Sequence, residues 1–251
     1  MDLGLTDRVF VVTGGARGLG RATVDVLVAE GARVVLSGRS EESLAQARDA
    51  LGDAVELVVA DNADPGTPER LVAAAQERWG RLDGALVSVG GPPKGPVTGI
   101  TDDQWSAAFE SVFLGAVRLG RTIGPALPPG GALAFVLSSS VRAPLSDMAV
   151  SNGLRPGLGM VAKQLADELG PAGVRVNGLL PGRVGTERVA ELDAASGDAD
   201  AARAAAIRTI PLRRYGVPEE FGRVAAFLLS PASSFVSGAM VPVDGGMLRA
   251  L

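Results

Sequence analysis

An α/β fold, with a doubly wound parallel sheet of about seven strands layered between helices on both faces, is what the sequence predicts, and three observations predict it. Short apolar runs alternate with Ala-rich amphipathic runs along the whole chain, the order that βαβ units require. The apolar runs are nearly continuous rather than alternating with polar residues, as in strands covered on both faces. A glycine-rich turn stands between the first strand and the first helix. At 251 residues the chain can bury one large core, and one domain over 1–251 is expected.

The elements follow in order. VFVVT at 9–13 is the first strand and runs through glycines into a helix over about 19–30; RVVLSG at 33–38 precedes a helix over about 41–50. VELVVA at 55–60 leads to a helix over about 67–79, and ALVSV at 85–89 leads through GGPPKGP to a long helix starting near Asp102. LAFVLSSS at 133–140, a helix over about 151–169 and VRVNGLL at 174–180 come next. A polar, Ala-rich insertion at about 187–209 reads as a mobile substrate lid, followed by a helix over about 219–229 and a last strand near 239–243. Gly31 and Gly80 are placed to end helices, where a left-handed residue costs glycine little. Thr101 with Asp102 and Asp103, and Pro218 with Glu219 and Glu220, mark helix starts by capping and by negative charge near the positive end of the helix dipole.

Composition removes several function classes. The formal net charge is -4 with no run of like charges, so neither a nucleic-acid nor a membrane-surface partner is expected. Neither a charged leader with a cleavage pattern nor an apolar span of membrane length is visible, and the expectation is a cytoplasmic protein. Cys and His are both absent, which excludes disulfides, thiolate nucleophiles, imidazole bases and most transition-metal sites, so no metal is expected. Acid or base work falls to Asp, Glu, Lys, Ser, Arg, the single Tyr215, water or a substrate.

TGGARGLG at 13–20 directly follows the first strand and opens the first helix. Glycines there let the backbone turn sharply and approach a pyrophosphate, whose charge the free N–H groups and the dipole of the helix N-terminus favour. Gly14, Gly18 and Gly20 give a Rossmann-like turn, although the spacing is not GxGxxG.

With TGGARGLG stand Asp61 and Asn62, LDGALVSVGG at 82–91, Ser138, VRVNGLLPGRVGT at 174–186, PLRRYGVPEE, FLLSPASSFVSG and VPVDGG. In this order, over about residues 5–248, the chain resembles the short-chain dehydrogenase/reductase family, in particular its 3-oxoacyl-carrier-protein reductase-like members. The resemblance implies that Gly14, Arg17, Leu19 and Gly20 hold the pyrophosphate and adjacent ribose, that Asp61 and Asn62 meet the adenine, and that Gly90 lines the cofactor path. It also implies that Pro181, Val184 and Thr186, with Gly182 in the same run, hold the nicotinamide carboxamide. SGR at 37–39 offers a hydroxyl and a guanidinium where an acid would select NAD, and Arg39 with Arg17 therefore favours NADP(H). Subunits associating through 102–127 and 151–169 into a homodimer or homotetramer are implied too.

The pattern breaks where the family places a Tyr and a Lys four apart on one helix face. Those positions here carry Ser151 and Arg155; Val112 stands in place of the usual helix asparagine, and Val87 and Ser88 in place of two more. Arg155 can keep the ribose contact but cannot act as an acid near neutral pH. Ser138, Ser151 and Asn152 can polarise a carbonyl as an oxyanion hole does. Tyr215 reads as packing rather than as the missing donor. The expected function is an NADP(H)-dependent reductase of a small-molecule ketone, with Ser138, Ser151 and Arg155 as catalytic candidates and a polyketide-like or aromatic substrate. The alternative is a non-redox protein on the nucleotide fold: a cofactor-sensing or binding module, or an isomerase or cyclase.

Overall fold

The computed structural model describes residues 2–195 and 197–250. β1 (Val9–Thr13), α1 (Gly18–Ala29), β2 (Arg33–Gly38), α2 (Glu41–Leu51), β3 (Val55–Val59) and α3 (Thr67–Trp79) form the first half. β4 (Gly84–Val87), α4 (Asp102–Ala108), α5 (Gly115–Ala126), β5 (Ala132–Val136), α6 (Ala149–Leu169) and β6 (Arg175–Pro181) follow. α7 (Glu187–Ala194), α8 (Ala199–Thr209), α9 (Pro218–Leu229) and β7 (Met240–Val243) complete the described elements. Seven parallel strands make one sheet in the order β3-β2-β1-β4-β5-β6-β7.

Strand pleating sends alternate residues to opposite faces, and the sequence supplies apolar side chains for both. Val9, Val11 and Val35 face a core shared with α3, α5 and α6, while Phe10, Val12, Val34 and Leu36 face one shared with α1, α2 and α9. Phe10, Phe135 and Phe221 are fully enclosed, each worth about 1.5–3 kcal/mol of burial. The order reverses between β1 and β4, which opens a crevice at their C-terminal ends. The Thr13 hydroxyl ties the two strands there, accepting the Ser88 N–H and donating to the Ser88 carbonyl, both at 2.8 Å.

Four expectations change in detail. The strand read over 133–140 leaves the ladder after Val136, because Ser139–Val141 coil into a 3-10 turn with the Ser138 side chain accepting the Ser140 N–H at 3.1 Å. The strand read over 85–89 ends at Val87. The long helix from Asp102 is interrupted by a π-helical segment, Phe109–Leu114, that carries Val112. The insertion at 187–209 contains two helices, α7 and α8; residue 196 within it lies outside the described residues. Among the described residues no helix is long and apolar enough to cross a membrane.

Two glycines of α6 take rings from the preceding helical elements. A methyl at Gly153 would lie 2.8 Å from the Trp105 ring, and one at Gly157 would lie 2.9 Å from Phe113. At these two positions the surface of α6 is filled by the chain itself.

Candidate active site

The β1–α1 turn is built for close approach of backbone to backbone. Gly14 and Gly18 have φ of +59° and +57°, conformations open chiefly to glycine. A methyl at Gly20 would run into the Gly14 carbonyl, so the first turn of α1 packs directly on the loop. The N-terminus of α1 then points into the crevice with no acidic residue in its first turn, leaving its partial positive charge uncompensated.

From this turn a groove of about 780 Å³ runs along the ends of β2, β3 and β4. Gly14, Arg17, Arg39, Asp61, Asn62 and Gly90, separated by up to 76 positions, all line it. Leu19 turns its side chain to the core instead. Gly90 faces open space where a side chain would project. At the end of β2 the groove also meets Ser40 and Ser43, whose pairing caps α2: the Ser40 hydroxyl accepts the Ser43 N–H at 3.2 Å. Sequence reading missed these two hydroxyls, although a serine three residues before another at a helix start is a legible capping signal. Asp61 uses one carboxylate oxygen to accept the Ala63 N–H at 2.9 Å, and Asn62 donates to the Ser88 carbonyl at 3.4 Å.

The far end is assembled from β6 onward. Gly182 donates to the Val243 carbonyl at 3.0 Å; Val184, 4% exposed, is bridged to Gly216. Thr186 caps α7 by accepting the Val189 N–H at 3.4 Å, and its methyl lies 3.7 Å from where a side chain on Gly18 would begin. The fold thus brings Thr186 against the β1–α1 turn from the other end of the chain. Pro181 ends β6 beside them.

Against Gly90 lies Arg155 on α6, with Ser151 one turn before it. Arg155 is 5% exposed and donates to the Val136 carbonyl at 2.6 Å and to the Gly90 and Val89 carbonyls at 3.3 and 3.5 Å. No carboxylate pairs with it among the described residues, and burial holds its guanidinium down to about 10. It therefore remains a cation at neutral pH and brings positive field, not a transferable proton.

Ser138 does not meet Ser151. Ser140 does: the two buried hydroxyls share a hydrogen bond of 3.1 Å. The two-residue difference follows from the 3-10 turn, which points Ser138 to its own backbone and Ser140 toward α6. Asn152 is also removed from the candidate donors, because its amide is spent on the Leu145 N–H and carbonyl at 3.0 and 2.8 Å. Val112, 3% exposed, lines the groove from the π segment and offers no polar atom. Ser140→Ala is accordingly expected to slow turnover at least about tenfold more than Ser138→Ala, by loss of the hydrogen bond that orients Ser151; equal effects in steady-state kinetics would count against this pairing.

A family model described as "Enoyl-(Acyl carrier protein) reductase" matches residues 14–248. The chain belongs to the short-chain dehydrogenase/reductase family. Within this family it is 34% identical to an uncharacterized oxidoreductase of Mycobacterium tuberculosis over 245 residues, covering 96% of this chain and 91% of that protein. It is also 34% identical to levodione reductase of Leifsonia aquatica over 260 residues, covering 98% of this chain and 96% of that protein. The fold matches that of L-sorbose reductase from Gluconobacter frateurii, solved with NADPH and L-sorbose, with a TM-score of 0.94, 28% identity and full coverage of both chains. As a member of the family the chain is an oxidoreductase.

Proposed function

We propose that the protein is an NADP(H)-dependent carbonyl reductase whose active site replaces the family's phenol and amine by Ser151 and Arg155. The observation that carries this reading is the glycine cradle at the strand-order reversal, continued by a groove with Arg39, Ser40 and Ser43 and no acid at the end of β2. The residues fit the cofactor. The backbone at Gly14 and Gly20 leaves no room for a side chain, Gly90 opens onto free space, the α1 N-terminus suits a pyrophosphate, and the β2 corner suits a 2′-phosphate. The relatives support it, since levodione reductase and L-sorbose reductase are named for ketone substrates and the latter was solved with NADPH.

In this reading Gly14, Arg17, Gly18, Leu19 and Gly20 hold the pyrophosphate end, Asp61 and Asn62 the adenine, and Pro181, Gly182, Val184 and Thr186 the carboxamide. The bound dinucleotide supplies hydride chemistry; the protein supplies position and field. Arg155 keeps a positive charge beneath the strand ends, and the Ser140–Ser151 pair polarises the substrate carbonyl. None of these groups is a competent acid near pH 7, so the proton comes from water or from a hydroxyl on the substrate. A ketone beside a phenolic or enolic hydroxyl, as in polyketide-like or aromatic compounds, meets that requirement.

Arg39→Ala is expected to weaken NADPH binding about tenfold and NADH binding hardly at all, as read by titration of reduced-cofactor fluorescence. Equal affinity of the unaltered protein for the two cofactors rejects the NADP(H) assignment. The replacement of the Tyr and Lys pair is also what a non-redox isomerase, cyclase or cofactor-sensing module would show. Deuterium transfer from 4-deuterated NADPH into a panel of cyclic diketones, quinones and sugar ketones separates the two. Product formed without label or cofactor consumption replaces the reductase reading with the non-redox one.

A further inference from the structure

α7 borders the groove and α8 packs on α7, and the apolar side chains of both helices are no more than half-buried. α8 buries no residue, and the one buried residue of α7 is a carboxylate, Asp193, 6% exposed. Asp193 accepts hydrogen bonds from two directions. The Tyr215 hydroxyl donates to one oxygen at 3.0 Å, and Arg183 donates to the other at 3.2 Å. Arg203 of α8 sits over the Tyr215 ring, 4.5 Å from its centre. Burial, reinforced by the bond to Asp193, raises the phenol above its ordinary value, which suits a fixed donor of a hydrogen bond.

Each partner leads to a different element. Arg183 precedes Val184 and Thr186, and its carbonyl accepts the Gly216 N–H at 3.0 Å, so the Tyr215 segment backs the same loop twice. At its other end α7 reaches the groove: Glu187 lies 3.6 Å from Arg17, and Arg188 donates to the Pro92 carbonyl at 3.4 Å while covering Gly91. An element held largely by polar contacts, with its apolar side chains no more than half-buried, opens at low cost and leaves the core intact.

We propose that Tyr215 is a positioning residue: through Asp193 it locks α7 and α8 over the groove as a lid and holds the 183–186 loop in place. This rests on the reading of that loop as the nicotinamide end. The chain's single phenol thereby acts on closure and takes no part in proton transfer.

Tyr215→Phe keeps the ring under Arg203 and removes only the hydroxyl. Limited trypsin digestion, read at Arg188, Arg203 and Arg208, is expected to run roughly tenfold faster in this variant, the factor that loss of one hydrogen bond to a charged acceptor implies. Asp193→Asn should do the same, and the double variant should add nothing, because both remove one unit. With NADPH and a cyclic diketone, KM should rise while kcat changes less than threefold. Unchanged digestion, additive effects in the double variant, or a collapse of kcat at unchanged KM overturns the proposal. If digestion accelerates as expected but NADPH protects neither the variant nor the unaltered protein, the cofactor reading fails and the clasp stands.

Discussion

Arg155→Ala is expected to lower kcat/KM about a hundred- to a thousandfold while leaving the melting temperature nearly unchanged. The activity loss has the size seen when a preorganised electrostatic group is removed from an active site. Arg155 is the one cation enclosed beneath the ends of β4 and β5, with carbonyls for partners and no carboxylate among the described residues. Stability moves little because two effects oppose each other. Truncation leaves the Val136 carbonyl without its donor, at about 1–3 kcal/mol, but it also relieves the cost of holding a desolvated charge. The pH behaviour is set by the same burial. With the folded guanidinium near 10, below its ordinary value, the unfolded chain binds more protons only at alkaline pH above that point. Stability therefore gains from this group as pH rises through that alkaline window, and its contribution does not change with pH between about 6 and 9. Kinetics and thermal unfolding of the variant check both parts, and a large loss of stability with activity intact would assign Arg155 to the core alone.

Gly20→Ala is the second large effect. One methyl would enter the space of the Gly14 carbonyl, and neither partner can yield, since both are backbone at the join of β1 and α1. Overpacking of this kind costs about 1–3 kcal/mol, a fall of several degrees in melting temperature for a chain of this size. NADPH affinity should fall about a hundredfold, because the N–H groups proposed to face the pyrophosphate would no longer converge. Isothermal titration of the folded variant tests it. Unchanged affinity would mean that the loop is a structural turn and nothing more.

Much of the fold was legible because its signals are local. Continuous apolar runs gave all seven strands, and capping residues such as Thr101 gave helix starts, since both depend on neighbours a few positions apart. The glycine turn between β1 and α1 was legible for the same reason. What escaped depends on contacts between distant segments. Ser138 and Ser140 are equivalent on paper, and only the 3-10 turn after β5 decides which hydroxyl reaches α6. Asn152 looked free until its amide was found on Leu145. Asp193 in an Ala-rich, charged stretch gave no hint of burial, because its partners Arg183 and Tyr215 come from either side of that stretch. The π segment at Phe109–Leu114 leaves no mark in the apolar period.

The rings of Trp105 and Phe113, seated in the glycine notches of α6, bear on any attempt to place a Tyr at 151 and a Lys at 155. Residues 151 and 155 sit two positions on either side of Gly153, so the packing of that helix against its neighbours is set by aromatic spacers from outside it. A phenol grafted at 151 would inherit an axis set for a smaller side chain. Design would have to start at 105 and 113, trimming the spacers before enlarging the site, and sequence exchange at 151 and 155 alone would move chemistry into a frame cut for something else.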